Sequence, residues 1–224
     1  MSAEIDHLVV VAATLDQGAA WCERVLGVAP EAGGRHALMG THNRLLAIGS
    51  DAFPKAYLEI IAIDPDAPPP GRSRWFGMDR PAVQAAVRAE PQLLHLVCRT
   101  TNIEMQRWGL VNLGLRPGQL LSLERATPDG QLRWRLLVRE DGAAECAGRL
   151  PTLIEWPDRH PADRLPPSPV RLREVRLGGL PERVARLLAL RGVALQGEDV
   201  VVTLETPRGQ VTLEARSERL CPCP

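Results

Sequence analysis

Aromatic side chains are scarce in this chain of 224 residues: one is Tyr, two are Phe and five are Trp. A core must therefore be built mainly from Leu, Val, Ile and Ala. Charge of one sign is also lacking. The 27 Lys and Arg balance the 27 Asp and Glu, and Lys55 is the lone lysine. A nucleic-acid or membrane-surface protein usually shows a basic excess or patch, so neither partner is expected. No run approaches the roughly 18 continuous apolar residues of a membrane span. The N-terminal Met1-Ser2-Ala3-Glu4 passes straight into an apolar run without the basic region of a signal peptide. The five cysteines (22, 98, 146, 221 and 223) are odd in number and lack framework spacing. They predict reduced thiols and a cytoplasmic protein. Cys98 reads as a small core hydrophobe and Cys221-Pro-Cys223-Pro as an untethered tail.

What is present is an ordinary globular composition, 45% apolar and 24% charged, enough for one large domain or two small ones. A short pattern occurs twice in it. His7 lies in the apolar run Ile5–Val11, and Glu59 lies in Tyr57–Ile61, 52 residues later. His95 lies in Leu93–Cys98, and Glu155 lies in Thr152–Trp156, 60 residues later. A carboxylate flanked by Leu and Ile is costly to bury unless something compensates it. Two imidazoles and two carboxylates in repeated order suit one divalent cation: Zn, Ni, Co, Mn or Fe(II).

The surrounding pattern repeats as well. Residues 4–12 read as a strand. A helix begins at Thr14 and ends at Gly27, and strands follow near 35–39, 44–49 and 56–63. Pro-rich residues 64–74 form a connection, and 79–89 form a helix with Pro81 in its first turn. A second βαβββ order then runs through a strand at 93–99, a helix at 103–113 and strands near 119–125, 132–139 and 152–156. After a second Pro-rich stretch, residues 170–215 give a shortened βαββ copy without the His/Glu pair. The fold class is therefore α+β: tandem βαβββ modules (1–64 and 75–157) with a mixed sheet, then a partial module (169–216) and a tail (217–224).

These residues carry a resemblance. Ile5-Asp6-His7-Leu8-Val9-Val10, Gly33-Gly34-Arg35-His36, Met39-Gly40-Thr41-His42-Asn43, Tyr57–Ile61, Leu94-His95 and Leu153-Ile154-Glu155-Trp156 resemble the vicinal oxygen chelate superfamily and its glyoxalase-like proteins. In that superfamily the first and last strands of paired βαβββ modules hold a metal in a half-open cup. Carried over, this implies that the mixed sheet is cup-shaped, with His7, Glu59, His95 and Glu155 as ligands and Glu155 as the catalytic base. It implies a cup mouth at Arg35, His36, His42 and Asn43. There His36 donates a proton, Arg35 pairs a substrate carboxylate and Asn43 bonds a polar group. His160 is expected to be exposed in the Pro-rich linker.

The function implied is a lyase or isomerase for a small substrate with vicinal oxygens, the metal acting as Lewis acid on an enediolate-like intermediate. The alternatives are an Fe(II) ring-cleaving dioxygenase and a non-enzymatic antibiotic-binding protein, with Trp75, Phe76, Trp134 and Trp156 lining an apolar cup. Monomer and homodimer both remain open, because both modules lie in one chain.

Overall fold

In the computed structural model, which describes residues 2–127 and 130–215, Thr14 accepts a hydrogen bond from the Gln17 N–H at 3.1 Å. That cap starts α1 (Leu15–Trp21) immediately after β1 (Glu4–Val11). The helix widens through Cys22–Leu26 and stops at Gly27, whose φ of 76° suits glycine. Strands β2 (Glu31–His36), β3 (Thr41–Ala47) and β4 (Tyr57–Ile63) complete the first unit. Helix α2 (Pro81–Ala89), with proline in its first turn, leads to the second unit. That unit is β5 (Gln92–Arg99), α3 (Ile103–Asn112), β6 (Gln119–Thr127), β7 (Gly130–Val138) and β8 (Thr152–Glu155).

The eight strands make one mixed sheet in the order β2-β3-β4-β1-β5-β8-β7-β6. In each unit the first strand runs parallel to the last, His7 beside Tyr57 and Val97 beside Thr152. The units join where β1 and β5 run antiparallel. The sheet curls into a cup until its two edges meet, with Gly34 of β2 against the Arg125 side chain of β6. Alternation divides the strands between two cores. Val9, Val11, Ile61, Val97, Leu136 and Ile154 face the concave side with Trp75, Phe76 and Trp134. Leu8, Val10, Leu58, Ile60, Leu96 and Leu153 face the convex side.

The third unit covers that convex side. It comprises β9 (Arg171–Leu177), α4 (Glu182–Leu188), β10 (Val193–Ala194), β11 (Val200–Thr206) and β12 (Gly209–Ala215), in a separate sheet ordered β10-β9-β11-β12. Val175, Leu177, Val202 and Leu204 join the convex core. The Leu172 N–H donates to the Ile48 carbonyl at 2.8 Å, which ties the two sheets together. The two-residue β10 is one strand more than the sequence suggests. Moreover, β9 pairs in parallel with β10 and not with the last strand, so the element order repeats while the pairing does not.

Two strands lie earlier than the sequence pattern places them, at Glu31–His36 and Thr41–Ala47. The reason is Gly33-Gly34, which reads as a turn but sits in an edge strand. A Cβ at Gly33 would collide with Asn43, and one at Gly34 with Arg125. Glycine here serves close approach, and the pairing slips between Ala32 and Arg35 as at a bulge. Cys98 is fully buried in the convex core. Cys221 and Cys223 lie outside the described residues.

Candidate active site

The floor of the cup is organised by a carboxylate in an irregular stretch of β1. The pairing of β1 with β5 skips a residue between Ile5 and His7, which places Asp6 in a bulge. Asp6 is fully buried. Its Oδ1 lies 2.6 Å from His7 Nδ1, and its Oδ2 takes the indole N–H of Trp156 at 2.9 Å and lies 2.9 Å from His160 Nε2. Burial alone would raise the Asp6 pKa. The hydrogen bonds and charges of His160 and His7 outweigh it and hold the carboxyl below the usual range. The Ala162 N–H donates to His160 Nδ1 at 3.1 Å, which assigns the His160 proton to Nε2. His160 is therefore a buried strut of the site and not an exposed linker residue.

With Nδ1 committed to Asp6, His7 turns Nε2 toward Glu59, 3.5 Å from Oε2. The imidazole also stacks on Tyr57, with centroids 4.7 Å apart. Glu59 is 7% exposed. Asn43 Nδ2 donates to its Oε1 at 2.5 Å, while the Gly34 N–H donates to Asn43 Oδ1 at 2.7 Å. The second bond fixes which end of the amide faces the carboxylate. His36 completes this corner, with Nδ1 3.0 Å from Thr41 Oγ1 and Nε2 3.4 Å from Asn43 Nδ2. Burial lowers the His36 pKa to about 4 despite the opposing pull of Glu59, and Arg125 adds to the lowering. His36 is neutral at pH 7. Trp75, Phe76, Trp134 and Trp156 line the cup as the sequence suggests, around a floor space of about 40 Å³. Phe76 takes a left-handed φ of 57°, a strained geometry of the kind found where a side chain must be aimed.

His7, His36, Asn43 and Glu59 come together on this floor. Arg35 does not. Its side chain is 62% exposed and pairs with Asp64 at 3.1 Å and Asp66 at 3.2 Å. His42, one residue out of phase with Thr41 and Asn43, lies 3.8 Å from Asp64. His95 faces the same side as Val9, its partner across β1 and β5. It borders a separate cavity of about 30 Å³ under Phe76, which stacks on it at 4.9 Å. Its Nε2 accepts the Thr152 N–H at 3.2 Å and lies 3.0 Å from Thr152 Oγ1. The proton is then on Nδ1, a buried atom with no partner. Burial, with His7 nearby, lowers the His95 pKa to about 3.

Glu155 stands on the opposite face. Ile154 and Trp156 line the cup, so Glu155 between them points to the convex side. There Arg135 pairs with it through Nε at 2.7 Å and through Nη2, and the Ile103 N–H at the start of α3 donates to it at 3.4 Å. The register explains the mismatch. His7 lies beside Tyr57, and Glu59 is two residues on. With Val97 beside Thr152, the residue standing in the same relation to His95 is Thr152. Glu155 is three residues further, and an odd step reverses the face.

A divalent ion held by His7, Glu59, His95 and Glu155 does not fit these residues. His95 presents a protonated Nδ1 and an engaged Nε2, and Glu155 is across the sheet. Among the described residues no group of three or more His, Cys, Asp or Glu is placed to hold a metal ion. The sequence gives no sign of Asp6 and His160 as parts of the site, because neither the bulge nor the return of the linker appears in alternation. Arg125, on the cup wall, is likewise unmarked by the sequence pattern.

A family profile described as "Glyoxalase-like domain" matches residues 5–190. No curated protein matches the chain. A solved structure of a hypothetical protein from Staphylococcus aureus superposes with a TM-score of 0.58 at 14% identity, covering 95% of this chain and 85% of that one. Methylmalonyl-CoA epimerase from Streptomyces coelicolor gives 0.44 at 17% identity over 70% of this chain and 100% of its own. The Mycobacterium tuberculosis epimerase gives 0.39 at 15% over 68% and 85%.

Proposed function

The chain belongs to the glyoxalase-like domain family, a branch of the vicinal oxygen chelate superfamily, and from that premise we propose that it is a small-molecule lyase or isomerase whose proton transfer is carried by Glu59 and His7. The observation that carries this reading is the chain of contacts Asp6–His7–Glu59–Asn43 on the floor of an aromatic-lined cup. A fixed carboxylate next to an imidazole held in one tautomer is an acid–base pair.

In this mechanism a substrate carbonyl compound enters between Trp75, Trp134 and Trp156. Glu59 takes the proton from the carbon next to the carbonyl, and the bonding pair moves onto the carbonyl oxygen as an enolate. Asn43 holds the other carboxyl oxygen, so the reacting lone pair stays aimed. His7, held by Asp6, receives the proton from Glu59 or returns one to the substrate. Reprotonation gives an isomer, and loss of a group from the next carbon gives a lyase product. The walls exclude water, which strengthens each of these electrostatic contacts. No step runs through a metal ion held jointly by His7, Glu59, His95 and Glu155, because those four residues do not fit one. The ring-cleaving reading loses its two-His, one-carboxylate triad for the same reason.

A second reading has its own support. The aromatic lining suits a binding protein that sequesters a flat ligand. Glu59→Gln separates the two. Tryptophan quenching by ligand is expected to persist in the variant, while incorporation of solvent deuterium into a small carbonyl compound is lost. Quenching in both proteins with no exchange in either would favour sequestration.

A further inference from the structure

Arg125 stands in the aromatic-lined wall of the cup without a counter-charge among the described residues. Its Nη1 is buried and has no hydrogen-bond partner. The arginine forms no ion pair with any described residue, although its strand neighbour Glu124 lies 3.6 Å from Arg133. Nη1 packs over Gly34, where a side chain would leave it no room. The arginine therefore lies across the seam between the two edges of the cup. A buried N–H without an acceptor costs free energy that a ligand oxygen would recover.

Its position links two spaces. Arg125, Leu45, Leu132 and Pro161 border the floor of about 40 Å³ and also an outer hollow of about 250 Å³. Arg159, Arg164 and Glu31 also line that hollow. Arg35, the arginine that the sequence pattern nominates for an anion, is already paired with Asp64 and Asp66.

We propose that Arg125 anchors the carboxylate of an organic-acid substrate whose compact reacting end reaches Glu59 and whose remainder lies in the outer hollow. The planar fork of a guanidinium matches a carboxylate through two parallel hydrogen bonds. The floor admits only a few heavy atoms, which suits the carbonyl carbon and its neighbour. The inference rests on the cup being the substrate site, and it names the substrate class.

The test is a panel of 2-oxo and 2-hydroxy acids, aliphatic and phenyl, beside their methyl esters. Binding is read by tryptophan quenching and reaction by deuterium incorporation, in wild type, Arg125→Gln, Arg125→Lys and Glu59→Gln. Wild type is expected to bind at least one acid roughly 10- to 100-fold more tightly than its ester. Arg125→Gln is expected to lose that preference, and a urea midpoint near that of wild type shows that the variant is folded. Arg125→Lys is expected to restore part of the preference. Equal binding of acids and esters by wild type overturns the anchor, as does a preference that survives in Arg125→Gln, or no binding of any acid. Acid binding that depends on Arg125, without exchange in wild type, would leave the anchor standing and remove the proton-transfer reading. Exchange on acids and esters alike would do the reverse.

Discussion

At the scale of single residues, the site depends on one buried carboxylate that the His/Glu pattern does not reveal. Asp6 holds the tautomer of His7 and receives bonds from Trp156 and His160. An amide in its place presents one donor end and cannot accept from all three groups. Asp6→Asn is expected to cost about 2–4 kcal/mol in urea unfolding. It is also expected to lower turnover by about two orders of magnitude or more, because the proton of His7 moves to the wrong nitrogen. A variant as stable and as active as wild type would show that the Asp6–His7 contact organises nothing. His7 and Glu59 were legible because an isolated polar residue in an apolar run must have a partner. Glu155 satisfied the same criterion for another reason. It takes an N–H from the start of α3 and pairs with Arg135 on the convex face. Sequence cannot tell these cases apart, since the face of a residue depends on a register that the loop between β7 and β8 leaves unstated.

At the scale of elements, close approach sets the geometry. Gly18 of α1 lies so near Ile60 of β4 that a Cβ would overlap the Ile60 side chain. Gly18→Ala is expected to lower stability by about 1–3 kcal/mol, because the helix must lift from the sheet. Gly34→Ala is expected to cost a similar amount and also to displace Arg125, so its acid-over-ester preference should fall with its melting temperature. A stable Gly34→Ala protein with unchanged preference would mean that the seam does not position the guanidinium. Most elements were visible in the sequence, the two long βαβββ runs most clearly, because apolar alternation and the Thr14 and Gly27 helix ends mark them. Strand β2 lies earlier than the sequence pattern places it because its glycines mark close contact there and not a turn.

For the whole molecule, two buried neutral histidines tie stability to pH. His36 and His95 have folded pKa values of about 4 and about 3. In the unfolded chain a histidine titrates near 6.5. The unfolded state therefore binds more protons below about pH 6.5, and stability falls as pH drops toward the folded values. Each histidine contributes a slope of up to about 1.4 kcal/mol per pH unit in that window, and none above it. Urea midpoints between pH 7 and 4 are expected to show the decline, and His36→Gln is expected to remove one of the two slopes. A flat profile would mean that these rings are not held neutral. The third unit belongs to the same scale. Leu204 is fully buried in the core shared with the cup's convex face, so Leu204→Ala is expected to cost about 2–5 kcal/mol.

The most direct measurement compares solvent deuterium incorporation at the carbon beside the carbonyl of an organic acid, followed by proton NMR, for wild type, Glu59→Gln and Glu155→Gln. Wild type and Glu155→Gln are expected to exchange at similar rates, and Glu59→Gln is expected not to exchange. Exchange that persists in Glu59→Gln, or that disappears in Glu155→Gln protein of wild-type stability, would contradict the assignment of proton transfer to the floor of the cup.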